Sequence, residues 1–388
     1  MNRPPASAPP DDSTPLLHQL VFCALLSLAA ACLFMAAKIQ IYPGVEGLLT
    51  FDGEYYRGIY LHGYSFSGDI EEKQAVAYLP LSAAALGLAD VLVPGNNAFL
   101  ETMLLGVAIL FLTLLGIYRL TSGLSSRHTA MLACTVWALS PVAIYNFVGY
   151  TEPLYAALTV WILYHCWKHN TWTAAALAGI AMLGRPQAAV LALFVAGWIA
   201  AETRWRPRDF LDRNGGLKLV LMAAPLMLYA SWAAYRHDDS ILYINALEAW
   251  RRGTLTDGNV GPVEAILYFF RAIAYDHSGL TQWTAALGTL SLLLIVACVS
   301  AIGAVPRWLG LLYGGMLVFW FSAVSFDAMN SARHLFFMAP WAIIATTALS
   351  RLNGGPARAW LALLPWLLIA CTVNHHAVIR YYSGQWVS

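Results

Sequence analysis

The chain has 388 residues, of which 59% are apolar and only 11% charged, with a mean hydropathy of +0.60. Soluble domains run at roughly 45–50% apolar and about 25% charged, so an ordinary soluble globular protein is excluded. A formal net charge of +1 also excludes the concentrated basic face that nucleic-acid binding needs.

In chain order, residues 1–16 are rich in Pro, Ala and Ser and too poor in apolar surface to fold; a disordered cytoplasmic tail is expected. Residues 17–388 read as one transmembrane domain. Its first apolar run, 17–37, has the roughly 20 residues that span a bilayer and no basic segment immediately before it, which predicts an uncleaved helix rather than a cleaved leader. Phe51-Asp52-Gly53-Glu54-Tyr55-Tyr56-Arg57 follows, a charged aromatic stretch at a membrane exit. Read as a short loop, it places two carboxylates at i and i+2, one to accept a proton and the other to bond a polar ligand; a solvated loop is the alternative. Residues 75–93 are long enough to span but carry Pro80 early and follow Glu71-Glu72-Lys73; a crossing would put the loop with Arg119, Arg127 and His128 outside, so the positive-inside tendency favours a helix lying in the interface.

Further spans are predicted at 98–118, 129–147, 151–167, 218–235, 281–304, 308–325, 333–349 and 359–379. Residues 172–202 are interrupted by Gly184-Arg185-Pro186 and read as two helices meeting at Arg185. About eleven crossings result, with the N-terminus inside and short basic loops at 119–128, 168–171, 203–217, 305–307 and 350–358 on the cytoplasmic side. Outer segments at 38–97 and 236–280 then share a face with the turn Tyr145-Asn146…Tyr150-Thr151-Glu152-Pro153 and with two sets of cations, Arg185 and Arg333-His334. A cation at an apolar boundary needs a partner, and a phosphate accepting guanidinium bonds is one; snorkelling to lipid headgroups is the alternative. Arg57, Lys73 and Arg251-Arg252 are weaker candidates, and Tyr56 and Tyr150 are candidate lining groups. Glu152 before Pro153 is also an ordinary helix start.

No Walker A loop and no HExxH pattern is present, so nucleotide-driven work and zinc hydrolysis are not expected. The six Cys all fall in apolar runs, without the spacing of a disulfide framework or metal site, and His375-His376 has no partners in sequence. No cofactor is expected; a divalent metal on Asp52 and Glu54 is an option that is not favoured.

The order of these features carries a resemblance. An apolar segment, a loop opening Phe51-Asp52, Tyr78-Leu79-Pro80-Leu81, Ser140-Pro141…Tyr150-Thr151-Glu152, Gly179…Gly184-Arg185, and Ser331-x-Arg333…Pro340 resemble the GT-C integral-membrane glycosyltransferases, and among them the PIG-V-like mannosyltransferases. The likeness covers roughly residues 17–350. That branch usually has Trp-Asp where this chain has Phe51-Asp52, and Arg-Tyr where it has Arg333-His334. The resemblance implies an all-α, polytopic GT-C-like bundle with outer-face juxtamembrane helices. It implies transfer of a hexose, mannose in that branch, from a polyprenyl-phosphate sugar to a glycan, glycolipid or protein acceptor. It further implies Asp52 as general base, Glu54 orienting acceptor or sugar, and Arg333 with Arg185 holding the departing lipid phosphate. A multi-pass protein of a bacterial plasma membrane, its site facing the exterior, is the expected setting. Two other readings remain open on the residues alone: a transporter or flippase of lipid-linked substrates without covalent chemistry, and a surface-glycan polymerase or ligase.

Overall fold

The apolar runs fold as helices because a chain in hydrocarbon has no water to satisfy its backbone, and a helix satisfies every N–H and C=O within itself. The computed structural model describes residues 15–43, 49–93, 97–247, 249, 281–323, 331–352 and 356–385. Its elements are α1 (Leu16–Ile41), α2 (Asp52–His62), α3 (Pro80–Leu92), α4 (Ala98–Leu124), α5 (Arg127–Ala138), α6 (Glu152–Trp167), α7 (Thr171–Met182), α8 (Ala188–Glu202), α9 (Pro207–Asp212), α10 (Gly215–His237), α11 (Leu242–Ala246), α12 (Thr281–Ala301), α13 (Arg307–Ala323), α14 (Ser331–Phe336), α15 (Pro340–Leu352) and α16 (Pro356–Tyr382). No strand occurs among the described residues. The expected tail, Arg251-Arg252 and most of 236–280 lie outside the described residues.

Five helical stretches are long and apolar enough to cross a bilayer by length and composition: Leu16–Ile41, Ala98–Leu124, Gly215–His237, Leu287–Ala304 and Arg358–Tyr382. The other expected crossings correspond to shorter helices, α5, α6, α7, α8, α13 and α15. Exposed Leu104, Leu193, Leu228 and Leu361 face outward, as a lipid-facing surface requires. The bundle core is Leu110, Leu114, Ile117, Leu163, Ala174, Ala178 and Leu191, with α4 packed on α5 and α6, and α7 on α6, α8 and α10. Small residues bring these backbones close: a methyl on Gly116 would lie 2.6 Å from Val160 Cγ2, and one on Gly179 would lie 2.8 Å from the Met222 carbonyl oxygen.

Several expected spans are interrupted, and the interruptions gather at one end of the bundle. Residues 75–93 form a 3₁₀ turn and then α3, which starts on Pro80 and whose 13 residues are too few to span, in keeping with an interfacial helix. The 129–147 span ends early, α5 giving way at Ala138 to an irregular turn through Ser140-Pro141 and a 3₁₀ turn at Ala143–Asn146. The 172–202 region is two helices, α7 and α8, parted at Gly184-Arg185-Pro186 as expected. The 333–349 span is likewise divided into α14 and α15, so Arg333 and His334 lie on a six-residue helix that is not among those long and apolar enough to cross a bilayer. At the opposite end lie Arg119, Arg127, His128, Lys168, Arg204, Arg206, Arg208 and Arg213.

Candidate functional site

The site begins with a correction to the loop expected at 51–57: Asp52 is the first residue of a helix, α2. Phe51, which precedes it, has φ 54 and ψ −125, a region that side-chain-bearing residues rarely adopt and that persists only where the surroundings over-determine it. Here they do. The Tyr381 hydroxyl near the end of α16 accepts from Thr50 N at 3.1 Å and lies 3.2 Å from Thr50 O, to which it donates, while its ring meets Phe51 edge-on with centroids 5.8 Å apart. The last helix therefore fixes the backbone that delivers Asp52. Because i and i+2 on a helix do not share a face, Asp52 and Glu54 diverge, and Glu54 is exposed.

Four charged side chains from four distant segments, Asp52, Arg333, Glu152 and Arg185, are linked in sequence. Arg333 Nη1 donates to Asp52 Oδ2 at 2.8 Å, and Arg333 Nε lies 2.8 Å from Glu152 Oε1. Arg185 Nη1 lies 2.8 Å from that same Glu152 oxygen, and Arg185 Nε donates to Gln187 Oε1 at 3.2 Å. Arg185 Nη2 also contacts His334 Nδ1. A guanidinium only donates, so His334 Nδ1 must accept, leaving a neutral ring with its proton on Nε2. Burial, then Arg185 and Arg333, push the imidazole well below its usual range, in the same sense. The expectation of His334 as one of a set of cations is thereby corrected: the helix break puts Arg185 against it.

The result is a chain of charges, Asp52–Arg333–Glu152–Arg185, in which two carboxylates balance two guanidiniums. Such a cluster survives burial only because each charge is paired. Exposure distinguishes its members: the side chains of Glu152, Arg333 and Arg185 are 2%, 8% and 9% accessible, whereas Asp52 is 18%. Asp52 is thus the carboxylate that a second molecule can reach. Glu152 sits in the first turn of α6, where the helix dipole favours a negative charge.

Tyrosines enclose the cluster. Arg333 Cζ lies 5.1 Å from the Tyr150 ring centroid and 5.6 Å from that of Tyr145. Tyr78 donates its hydroxyl to Asp52 Oδ1 at 3.1 Å. Its ring is stacked on Tyr55 at 4.7 Å and met edge-on by buried Tyr56 at 5.2 Å, while its carbonyl accepts from Tyr64 at 2.8 Å. Burial and then the Asp52 charge hold the Tyr78 phenol far above its ordinary value, so it is a permanent donor.

Of the residues singled out in sequence, Asp52, Glu152, Arg185, Arg333 and His334 are therefore joined, with Tyr150 and Tyr56 against them. Arg57 is not among them; it lies with Tyr60, Glu101 and Asp90. Lys73 is exposed on the segment between α2 and α3. Sequence reasoning missed Tyr78, Tyr381 and Gln187 as site groups. Tyr78, two residues before a Pro-started interfacial helix and close to a polar stretch, carried the one usable signal. Among the described residues, no group of three or more His, Cys, Asp or Glu is placed to hold a metal ion.

The chain matches no protein-family model and no curated protein sequence. Solved structures do resemble it. The Archaeoglobus fulgidus oligosaccharyltransferase in its apo form superposes with a TM-score of 0.50 at 15% identity, over 95% of this chain and 55% of that one. The crystal structure of the same enzyme with Zn and sulfate gives 0.50 at 12% identity, over 91% and 53%. This chain thus spans about half the length of the structures it matches. With its helical content and interrupted spans, the likeness establishes the fold as an all-α, polytopic, GT-C-like membrane bundle.

Proposed function

We propose that the protein is a membrane glycosyltransferase that moves a hexose, mannose by the family resemblance, from a polyprenyl-phosphate sugar to an acceptor hydroxyl. The observation that carries this reading is the accessible Asp52 carboxylate joined to the buried Arg333 guanidinium, and through Glu152 to that of Arg185, at one end of a GT-C-like bundle. In a single displacement the acceptor hydroxyl gives its proton to Asp52 as its oxygen forms a bond to the anomeric carbon. The bond from that carbon to the phosphate oxygen breaks, the electron pair leaves with the lipid phosphate, and the anomeric configuration inverts. Arg333, backed by Arg185, stabilises the charge that accumulates on the phosphate. Glu54, exposed beside Asp52, contacts the acceptor outside the charge cluster.

The placement of the charges favours chemistry over passage, since a transporter tends to hold its charges near the midplane in matched halves. Here Asp52 lies beyond the end of α1, Glu152 opens α6 and Arg185 joins α7 to α8. The basic residues at the other end support a site facing the exterior of a bacterial plasma membrane. The test supplies the purified protein in detergent with a radiolabelled polyprenyl-phosphate mannose and a mixed glycolipid extract as acceptor. Label should move into acceptor with stoichiometric release of polyprenyl phosphate. Transport of the donor across vesicles with no glycosylated product would overturn the reading.

A further inference from the structure

The four charges of the cluster cancel, so an incoming phosphate enters a site whose guanidiniums already have anionic partners. At a donor atom that a carboxylate already holds, it must compete with that carboxylate. The two carboxylates are not equally replaceable. Glu152 bridges both guanidiniums at 2.8 Å and is 2% accessible, whereas Asp52 holds one of them through a single oxygen and is 18% accessible.

We propose that the contact between Asp52 Oδ2 and Arg333 Nη1 is exchanged on donor binding, the donor's phosphate replacing Asp52 on the arginine to which the resemblance already assigns it. Donor binding then releases the base, and the two substrates bind in order, donor before acceptor. The exchange keeps everything else in place. Arg333 stays ion-paired with Glu152 and against the rings of Tyr145 and Tyr150. Asp52 stays tethered through Oδ1 to Tyr78, so the carboxylate turns rather than leaves, and the oxygen set free is Oδ2. An acceptor arriving first would meet an Oδ2 already bonded to Arg333. The donor's phosphodiester has two non-bridging oxygens and can engage the guanidinium fork with both, where Asp52 offers Arg333 one.

The proposal rests on the transferase reading for the role of Asp52, but its binding step can be tested without turnover. Farnesyl phosphate is titrated into the full-length protein in detergent micelles, with farnesol as the control lacking phosphate. Asp52→Asn removes the competing anion, so farnesyl phosphate should bind at least tenfold more tightly than to wild type, with farnesol unchanged. Asp52→Ser provides a second route should the Asn variant fail to fold. The gain should vanish when Arg333→Gln is added to either variant. Unchanged or weaker farnesyl phosphate binding by a folded Asp52 variant would overturn the proposal, and if wild type still transfers sugar the transferase reading survives that failure. Tighter binding in a protein whose wild type transfers no sugar would support the seat and refute the transferase.

Discussion

Glu152→Gln is the perturbation on which the charge cluster makes its sharpest demand. Glu152 is 2% accessible and its Oε1 lies 2.8 Å from both Arg185 Nη1 and Arg333 Nε. The amide keeps an acceptor of the same size but removes one of two negative charges, leaving Asp52 to compensate two buried guanidiniums. Breaking a buried ion pair by removing one partner costs about 3–5 kcal/mol, and because Gln still accepts a bond the lower end is expected. At roughly 2 °C per kcal/mol in a chain of this length, thermal unfolding in detergent should shift down by about 6 °C. Adding Arg185→Gln restores neutrality, so the double variant should recover at least half the loss, although it has two substitutions rather than one. Glu152→Gln within about 1 °C of wild type, or a double variant that loses the sum of the two single effects, would refute the pairing as the source of stability.

Three further substitutions separate the roles around Asp52. Tyr78→Phe deletes the bond to Asp52 Oδ1 and leaves the stacked rings intact; a neutral donor to a charged acceptor at 3.1 Å is worth about 1.5 kcal/mol, so kcat should fall about tenfold in a steady-state transfer assay with little change in thermal midpoint. Tyr381→Phe removes the bonds to Thr50 N and O that hold the positive-φ Phe51, and should cost about 1 kcal/mol in thermal unfolding while lowering kcat more than donor KM. Glu54→Gln, at an exposed position on the diverging side of α2, should raise acceptor KM and leave kcat and stability within about twofold and 0.5 kcal/mol of wild type.

Much of the site was legible before any fold was in view, and what was missed has physical causes. The break at Gly184-Arg185-Pro186 announced itself, because a run of that length with an Arg and a Pro at its centre cannot lie in hydrocarbon as one helix. Satisfying the basic segments with one orientation then put Asp52, Glu152, Arg185 and Arg333 at the same end, where the structure joins them. Their pairing with one another was not legible. A list of cations and anions on one face suggests sites open to a ligand, and only the distances show that the charges already satisfy one another. The helical state of Asp52 was hidden for another reason: Phe51 takes a conformation its side chain disfavours, set through Thr50 by Tyr381, 331 residues further along. Tyr78 and Tyr381 were passed over because interfacial tyrosines are commonplace in a membrane chain. His334 was read as a cation because its charge depends on which group faces it, and Arg185 reaches it only through the helix break.

The proposed sugar transfer depends first on the Asp52 carboxylate. The measurement is mass spectrometry of lipid-linked and surface glycans from cells lacking the gene, complemented with wild type or with Asp52→Asn produced to the same level in the membrane. Loss of a single hexose from one glycan species, restored by wild type and not by Asp52→Asn, is the predicted result. Full restoration by Asp52→Asn, or glycans unchanged by loss of the gene, would contradict it.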